Sequence, residues 1–264
     1  MLKIGINGAA GQMGRRLTEL VTHSRDFVLS CALETSGHES LGRDAGDIAG
    51  VGSTGVMLSS ALDEETDVLI DFSAPAATLV RLDECVDCGV AMVIGTTGFD
   101  ASGEGRIRAA AEDIPIVMAP NMSLGVNLLF ALAGKVAGAL GESYDIEIVE
   151  AHHRHKKDAP SGTAMQLAKN ICEAMSWEPV EDHLVHGREG QTGERPEKQI
   201  GMHAIRGGEV VGEHTVIFAG TGERVELAHK AESRDVFAQG ALHAALFVAK
   251  QEKGLYTMQD VLGL

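Results

Sequence analysis

Short apolar runs alternate with amphipathic stretches through the first half of the chain. LKIGIN (2–7) predicts a short buried strand. Residues 11–23 carry Met13, Leu17, Leu20 and Val21 at the spacing of one helix face, and FVLSCAL (27–33) predicts a second strand. Strand, glycine turn, helix and strand in that order make a βαβ unit. A glycine-rich irregular stretch, 37–55, follows. The pattern then repeats. DVLIDF (67–72) is a strand, Pro75 opens a helix to about residue 88, and VAMVIG (90–95) is a strand. A helix over 102–112 and a strand at IPIVMA (114–119) complete the series. Apolar strands separated by helices imply an α/β fold with a doubly wound parallel sheet.

The texture changes near Asn121. Residues 124–140 predict a long apolar helix, and SYDIEIVE (143–150) alternates like a strand covered on one face. A helix over 162–175 precedes a polar stretch, 177–198, read as a loop. Three strands at 199–206, 213–219 and 223–230 have hairpin-like spacing, so this half predicts an α+β domain with a mostly antiparallel or mixed sheet. Residues 235–250 predict a last helix followed by a short tail.

Composition narrows the partners. The 264 residues carry a formal charge of −16, which repels nucleic acid and anionic membranes. A small anion then needs a local basic pocket. No apolar run approaches about 18 residues, so no transmembrane helix is expected. No signal peptide is read at the N-terminus, and the expected setting is the cytoplasm, with Cys31, Cys85, Cys88 and Cys172 as reduced thiols. Cys85 and Cys88 form a C-x-x-C inside a helical pattern and are read as helix thiols partly facing the core.

GAAGQMG sets Gly8, Gly11 and Gly14 after a strand and at a helix start. Such a turn lets backbone N–H groups approach a pyrophosphate, and the helix N-terminus favours its charge. The spacing is G-x-x-G-x-x-G, weak by itself. Glu34, 20 residues after Gly14 at the end of the second strand, strengthens it, because an acid there meets the ribose hydroxyls. Neutral Thr35 and Ser36 follow, where an NADP site usually offers Arg, although Arg15 and Arg16 could reach over from the helix. NADH is therefore expected to serve at least as well as NADPH.

Positive charge concentrates in EAHHRHKKDAPSGT (150–163). Ser161, Gly162 and Thr163 precede a helix, and their hydroxyls and N–H groups suit an anion. Lys156 can hold a carboxylate, and the histidines can deliver a proton near neutral pH. No further ligands at zinc-type spacing accompany these histidines, so no metal is expected.

These segments, with LGRDAGDIAG, VLIDFS, MVIGTTGF, APNMSLGVN, GEHTVIFAGTGERVELAHKAESR and GLYTMQDVL, resemble the bacterial dihydrodipicolinate reductase family over nearly the whole chain. The resemblance implies a Rossmann-like cofactor domain (1–123 plus 234–264) and a substrate-binding and tetramerisation domain (124–233). It implies NADH and/or NADPH as cofactor, a small dianionic substrate, a homotetramer and a place in lysine biosynthesis via diaminopimelate. It makes His152 the proton donor and Lys156 its catalytic partner, and places His153, Lys156, Ser161, Gly162 and Thr163 around the substrate carboxylates. It points to Gly8, Gly11, Gln12, Met13, Gly14, Glu34, Phe72, Gly95, Thr97, Ala119, Asn121 and Met122 on the cofactor side. Thr35, Ala74 and Met122 depart from residues that some members carry, and all three touch cofactor contacts. The implied reaction delivers hydride to C4 of a dihydrodipicolinate, after which His152 protonates the enamine-like carbon. Two alternatives stand beside it: a similar oxidoreductase acting on another amino-acid intermediate, and a dinucleotide-sensing protein without catalysis.

Overall fold

The first apolar run is β1 (Leu2–Asn7) of a computed structural model that describes residues 1–264. It is followed by α1 (Gln12–Thr22), β2 (Phe27–Leu33), α2 (Ala45–Ala49), β3 (Leu58–Ser59) and β4 (Val68–Asp71). Then come α3 (Pro75–Cys88), β5 (Ala91–Ile94), α4 (Ala101–Ala110), β6 (Pro115–Met118) and α5 (Leu124–Leu140). The chain continues through β7 (Asp145–His152), α6 (Gly162–Met175), β8 (Leu184–His186), β9 (Ile200–Arg206), β10 (Gly212–Ala219) and β11 (Arg224–Ala231). It closes with α7 (Asp235–Val248), β12 (Gly254–Tyr256) and α8 (Met258–Leu262). Two units divide it: Met1–Leu124 with Asp235–Leu264, and Gly125–Arg234.

The first unit is built on a parallel seven-stranded sheet in the order β12-β6-β5-β4-β1-β2-β3. Its strands are apolar on both sides because both faces are covered. Leu17 and Val21 of α1 and Ala241, Ala245 and Val248 of α7 pack with one face. Leu82 and Cys85 of α3 and Ile107 of α4 pack with the other. Cys85 is buried and Cys88 exposed, and both are free thiols. The strand order reverses between β1 and β4, and in open α/β sheets ligands bind beyond the strand ends at that reversal.

Four short elements here, α2, β3, β12 and α8, escaped the sequence pattern. The irregular stretch contains α2, a five-residue helix capped by Asp44, whose carboxylate also gathers Ser53, Thr54 and Gly55. Helices this short have little periodicity to read. The C-terminal tail adds β12 beside β6, and α8 behind a Thr257–Asp260 capping box.

The second unit has a mixed five-stranded sheet, β11-β10-β7-β9-β8. Only β10 and β11 form a hairpin. β9 and β10 are joined by five residues, 207–211, yet they flank β7, β9 parallel to it and β10 antiparallel. Their connection therefore crosses the C-terminal end of β7. The polar 177–198 stretch includes the edge strand β8, and its Arg188 and Arg195 both reach Glu147 on β7.

The apolar-run expectation also needs correction. Leu124–Ser143 spans 20 residues at a hydropathy of 1.6, long and apolar enough by composition to cross a membrane. Its stripe Val126, Leu129, Phe130, Ala133 and Ala137 lies in the second unit's core with Ile146, Ile148 and Phe218. That is the pattern of a core helix with one buried face.

Candidate active site

At the glycine turn of the first unit, Gly8 adopts φ +78°, a region open mainly to glycine. A Cβ on Gly14 would overlap the Gly8 carbonyl and Ala9, so α1 starts hard against the turn. α1 is capped by Gly11 with no side-chain acceptor, which leaves its positive end suited to an anion. Gln12 is exposed and Met13 half-buried beside it. Glu34 reaches back to accept the Ala10 N–H at 2.9 Å, so acid and turn are one structure.

The ends of the next strands gather here. Asn7 bonds Ser73 at 3.1 Å, and the buried Asp71 accepts from Ser73 and Thr96. Phe72 lies against Gly95, where a Cβ would overlap its ring. Thr97 is exposed beyond this cluster, and Asn121 accepts the Ser123 N–H at 2.9 Å. Ala119 and Met122 differ in kind: their side chains are buried in the core of the unit. Only their backbone is left to meet a ligand.

Two arginines of the first unit are engaged within the fold. Arg16 forms a two-pronged pair with Asp235. Arg81 is buried, with bonds to Glu84 and to the carbonyls of Ser60 and Glu34. Thr35, Ser36 and Ala74 are all exposed.

The second unit places its chemistry at the C-terminal end of β7. Alternation puts Ile146, Ile148, Glu150 and His152 on the same buried face. His152 Nδ1 meets Glu150 Oε2 at 2.6 Å. β9 brings Arg206 opposite His152 on one side, and β10 brings Gly212 to the other. A Cβ on Gly212 would stand 3.2 Å from His152 Nε2, so the missing side chain keeps that nitrogen uncovered from this direction. Burial pulls the His152 imidazolium below the ordinary histidine value, with Glu150 opposing the shift.

Ser161 is the N-cap of α6, its hydroxyl accepting from Ala164 N–H. That hydroxyl also meets His214 Nε2 at 3.0 Å, and Ser161 N–H donates to Glu150 at 3.0 Å. Ser161 is thus buried within a protein network, while Gly162 is exposed and Thr163 half-buried beside it. Burial holds His214 neutral, its value lowered to about 4. Its ring stands edge-on to His152 at 5.1 Å. Lys156 is paired with Asp158 at 3.0 Å. His153 is half-buried, its Nδ1 unpartnered.

Sequence reasoning passed over Glu150, Arg206, Gly212 and His214. Parity carried a signal for two of them. Glu150 and His214 fall on the apolar faces of alternating strands, where a charged or polar side chain calls for a reason.

Two family models match the chain: dihydrodipicolinate reductase, N-terminus, over residues 2–122, and dihydrodipicolinate reductase, C-terminus, over residues 125–262. The chain belongs to the dihydrodipicolinate reductase family. The 4-hydroxy-tetrahydrodipicolinate reductase of Nitrosomonas europaea is 52% identical, over 100% of this chain and 98% of that protein. The one from Magnetococcus marinus is 49% identical, over 99% and 98%. Among solved structures, a dipicolinate-bound dihydrodipicolinate reductase from Paenisporosarcina sp. TG-14 superposes with a TM-score of 0.77 at 26% identity, covering 98% of both chains.

Proposed function

We propose that the chain is a 4-hydroxy-tetrahydrodipicolinate reductase. It reduces dihydrodipicolinate, formed from the 4-hydroxy compound, to tetrahydrodipicolinate at the expense of NADH or NADPH, in lysine biosynthesis via diaminopimelate. The observation that carries this reading is the His152–Glu150 pair at the end of β7, beside the start of α6 and the Lys156 turn. A sensor of dinucleotides has no use for that arrangement.

When bound, the reduced nicotinamide supplies the hydride. The glycine turn, with Gly8, Gly11, Gln12, Met13 and Gly14, holds the pyrophosphate at the N-terminus of α1. Glu34 takes the adenosine ribose. Phe72, Gly95 and Thr97, with the backbone of Ala119, Asn121 and Met122, form the remaining wall of that site.

On the second unit, Lys156 exchanges Asp158 for a substrate carboxylate. His153, Gly162 and Thr163 supply further donors around the two carboxylates, with Ser161 fixing the start of α6. His152 gives a proton from Nε2 to the carbon that becomes electron-rich after hydride arrives at C4. Removing such an acid typically costs about 10²–10⁴-fold in rate.

The nucleotide preference favours NADH or is even-handed. Thr35, Ser36 and Ala74 carry no charge, and Arg16 and Arg81 are engaged in the fold. Of the two α1 arginines, only the exposed Arg15 is then left for a 2′-phosphate beside Glu34. Assembly as a homotetramer and a cytoplasmic setting belong to the same proposal.

The test is oxidation of reduced nicotinamide in a coupled assay, with dihydrodipicolinate synthase, pyruvate and aspartate semialdehyde making the substrate. NADH and NADPH run side by side. Rapid oxidation, with NADH at least as good, is expected. No oxidation by folded protein that binds dinucleotide removes the substrate assignment, and a strong NADPH preference removes the reading of Thr35.

A further inference from the structure

Every donor around Glu150 belongs to a different part of the site. Its Oε2 accepts from His152 Nδ1 at 2.6 Å and from Arg206 Nη1 at 2.7 Å. Its Oε1 accepts from Ser161 N–H at 3.0 Å and from Arg206 Nη2 at 2.7 Å. The carboxylate is 0% exposed. The Arg206 Nη2 also holds the carbonyl of Asp158 at 2.8 Å, in the turn that carries Lys156. One ion pair therefore touches the proton donor, the N-cap of α6 and the lysine turn.

We propose that Glu150, clamped by Arg206, is a positioning residue: it fixes which nitrogen of His152 carries the transferable proton and ties that ring to the anion-binding start of α6. This rests on the reading of His152 as the proton donor.

Packing alone does not account for the pair. Ile146 and Ile148 precede Glu150 on the same buried face, so an apolar residue would suit the row. Buried ion pairs are weak evidence of stabilisation, because desolvation offsets the attraction and apolar replacements often serve as well. What a carboxylate adds is direction. Residues two apart on a strand share a face, so Glu150 meets the ring edge-on at Nδ1. With Nδ1–H given to Glu150, the neutral ring is bare at Nε2, and the imidazolium offers its second proton there. Gly212 leaves that side uncovered. On turnover the Nε2–H bond breaks, its electron pair staying on nitrogen, while the π pair of the enamine forms the new C–H bond. Nδ1–H stays with Glu150 throughout.

Arg206 suits the clamp because its planar fork bonds both carboxylate oxygens at once, which lysine cannot do. The charged and titratable groups facing His152 are Glu150 from β7, Arg206 from β9, His214 from β10 and Lys156 from the following turn. Only Glu150 among them favours the imidazolium.

The experiment compares Glu150→Gln, Arg206→Lys and His152→Gln with the wild type, by steady-state kinetics across pH and by thermal unfolding. Glu150→Gln is expected to lose about 10²–10⁴-fold in kcat, raise KM for substrate, and move the basic limb of its pH profile to lower pH. Arg206→Lys is expected to fall between it and the wild type. Because Glu150→Gln leaves the half-buried Arg206 guanidinium without its carboxylate, ¹⁵N-histidine NMR of the wild type supplies a second readout that does not depend on the folding of that variant. The neutral His152 ring, identified by its loss in His152→Gln, is expected to be protonated at Nδ1. An Nε2–H ring overturns the inference. So does a folded Glu150→Gln with wild-type kcat and pH limb while His152→Gln is impaired. A His152→Gln enzyme at wild-type turnover instead overturns the proton-donor reading itself.

Discussion

His152 and Glu150 lie two residues apart on β7 and meet at 2.6 Å in a buried site, so the histidine's orientation is set by its own strand. Burial lowers the His152 value, and Glu150 only partly restores it. The acid form is the one required. In the free enzyme, kcat/KM for substrate should therefore fall as pH rises through a value below the ordinary histidine pKa of about 6.5. The limb on kcat should lie higher, because a bound dianion favours the imidazolium. Full pH profiles check both; a kcat/KM with no histidine limb contradicts the assignment.

Lys156 carries the second prediction. Its ammonium sits 3.0 Å from the Asp158 carboxylate and is about one-fifth exposed (21%). Lys156→Ala should raise KM for substrate and lower kcat together, each by roughly tenfold or more, since a charge-assisted bond to carboxylate is worth about 1.5–3 kcal/mol. Initial-rate kinetics decide it. An unchanged KM argues against contact with a carboxylate.

Gly212 makes a sharper geometric test. A methyl group there stands 3.2 Å from His152 Nε2, close enough that the ring must give by a few tenths of an ångström. Gly212→Ala should lower kcat severalfold while leaving dinucleotide binding intact, since the ring that carries the transferable proton is displaced. Wild-type turnover together with an unmoved pH limb in that variant would argue against Nε2 as the working nitrogen.

The sequence revealed the first unit almost element by element, because a parallel sheet covered on both faces writes itself as separate apolar runs. Pro75 even marked the first turn of α3. Short pieces were lost: α2 owes its form to the hydrogen bonds of Asp44, and β12 to pairing with distant β6. The second sheet was half legible. A short link after residue 206 suggested a hairpin, but long-range pairing with β7 separates β9 from β10. That same crossing delivers Arg206 and Gly212 to His152, which is why neither could be read from spacing. The basic run was visible as charge, whereas its buried partner Glu150 looked like the end of an amphipathic strand.

His214 links the site to stability. Its folded value is lowered to about 4 by burial, against an ordinary 6.5, so the unfolded chain takes up the proton first. The stability it contributes is complete above about pH 6.5 and is lost as pH falls toward 4, by about 3 kcal/mol in all. Urea unfolding at pH 7 and pH 4 should show this acid loss, and His214→Gln should reduce it. An identical pH dependence in the variant removes His214 as its source.

The most direct measurement is turnover of His152→Gln in the coupled reductase assay, set beside its calorimetric affinity for NADH. The predicted result is a loss of about 10²–10⁴-fold in kcat with wild-type nucleotide affinity. Turnover equal to the wild type, in a variant that binds NADH as well, would contradict the assignment of His152 as the proton donor.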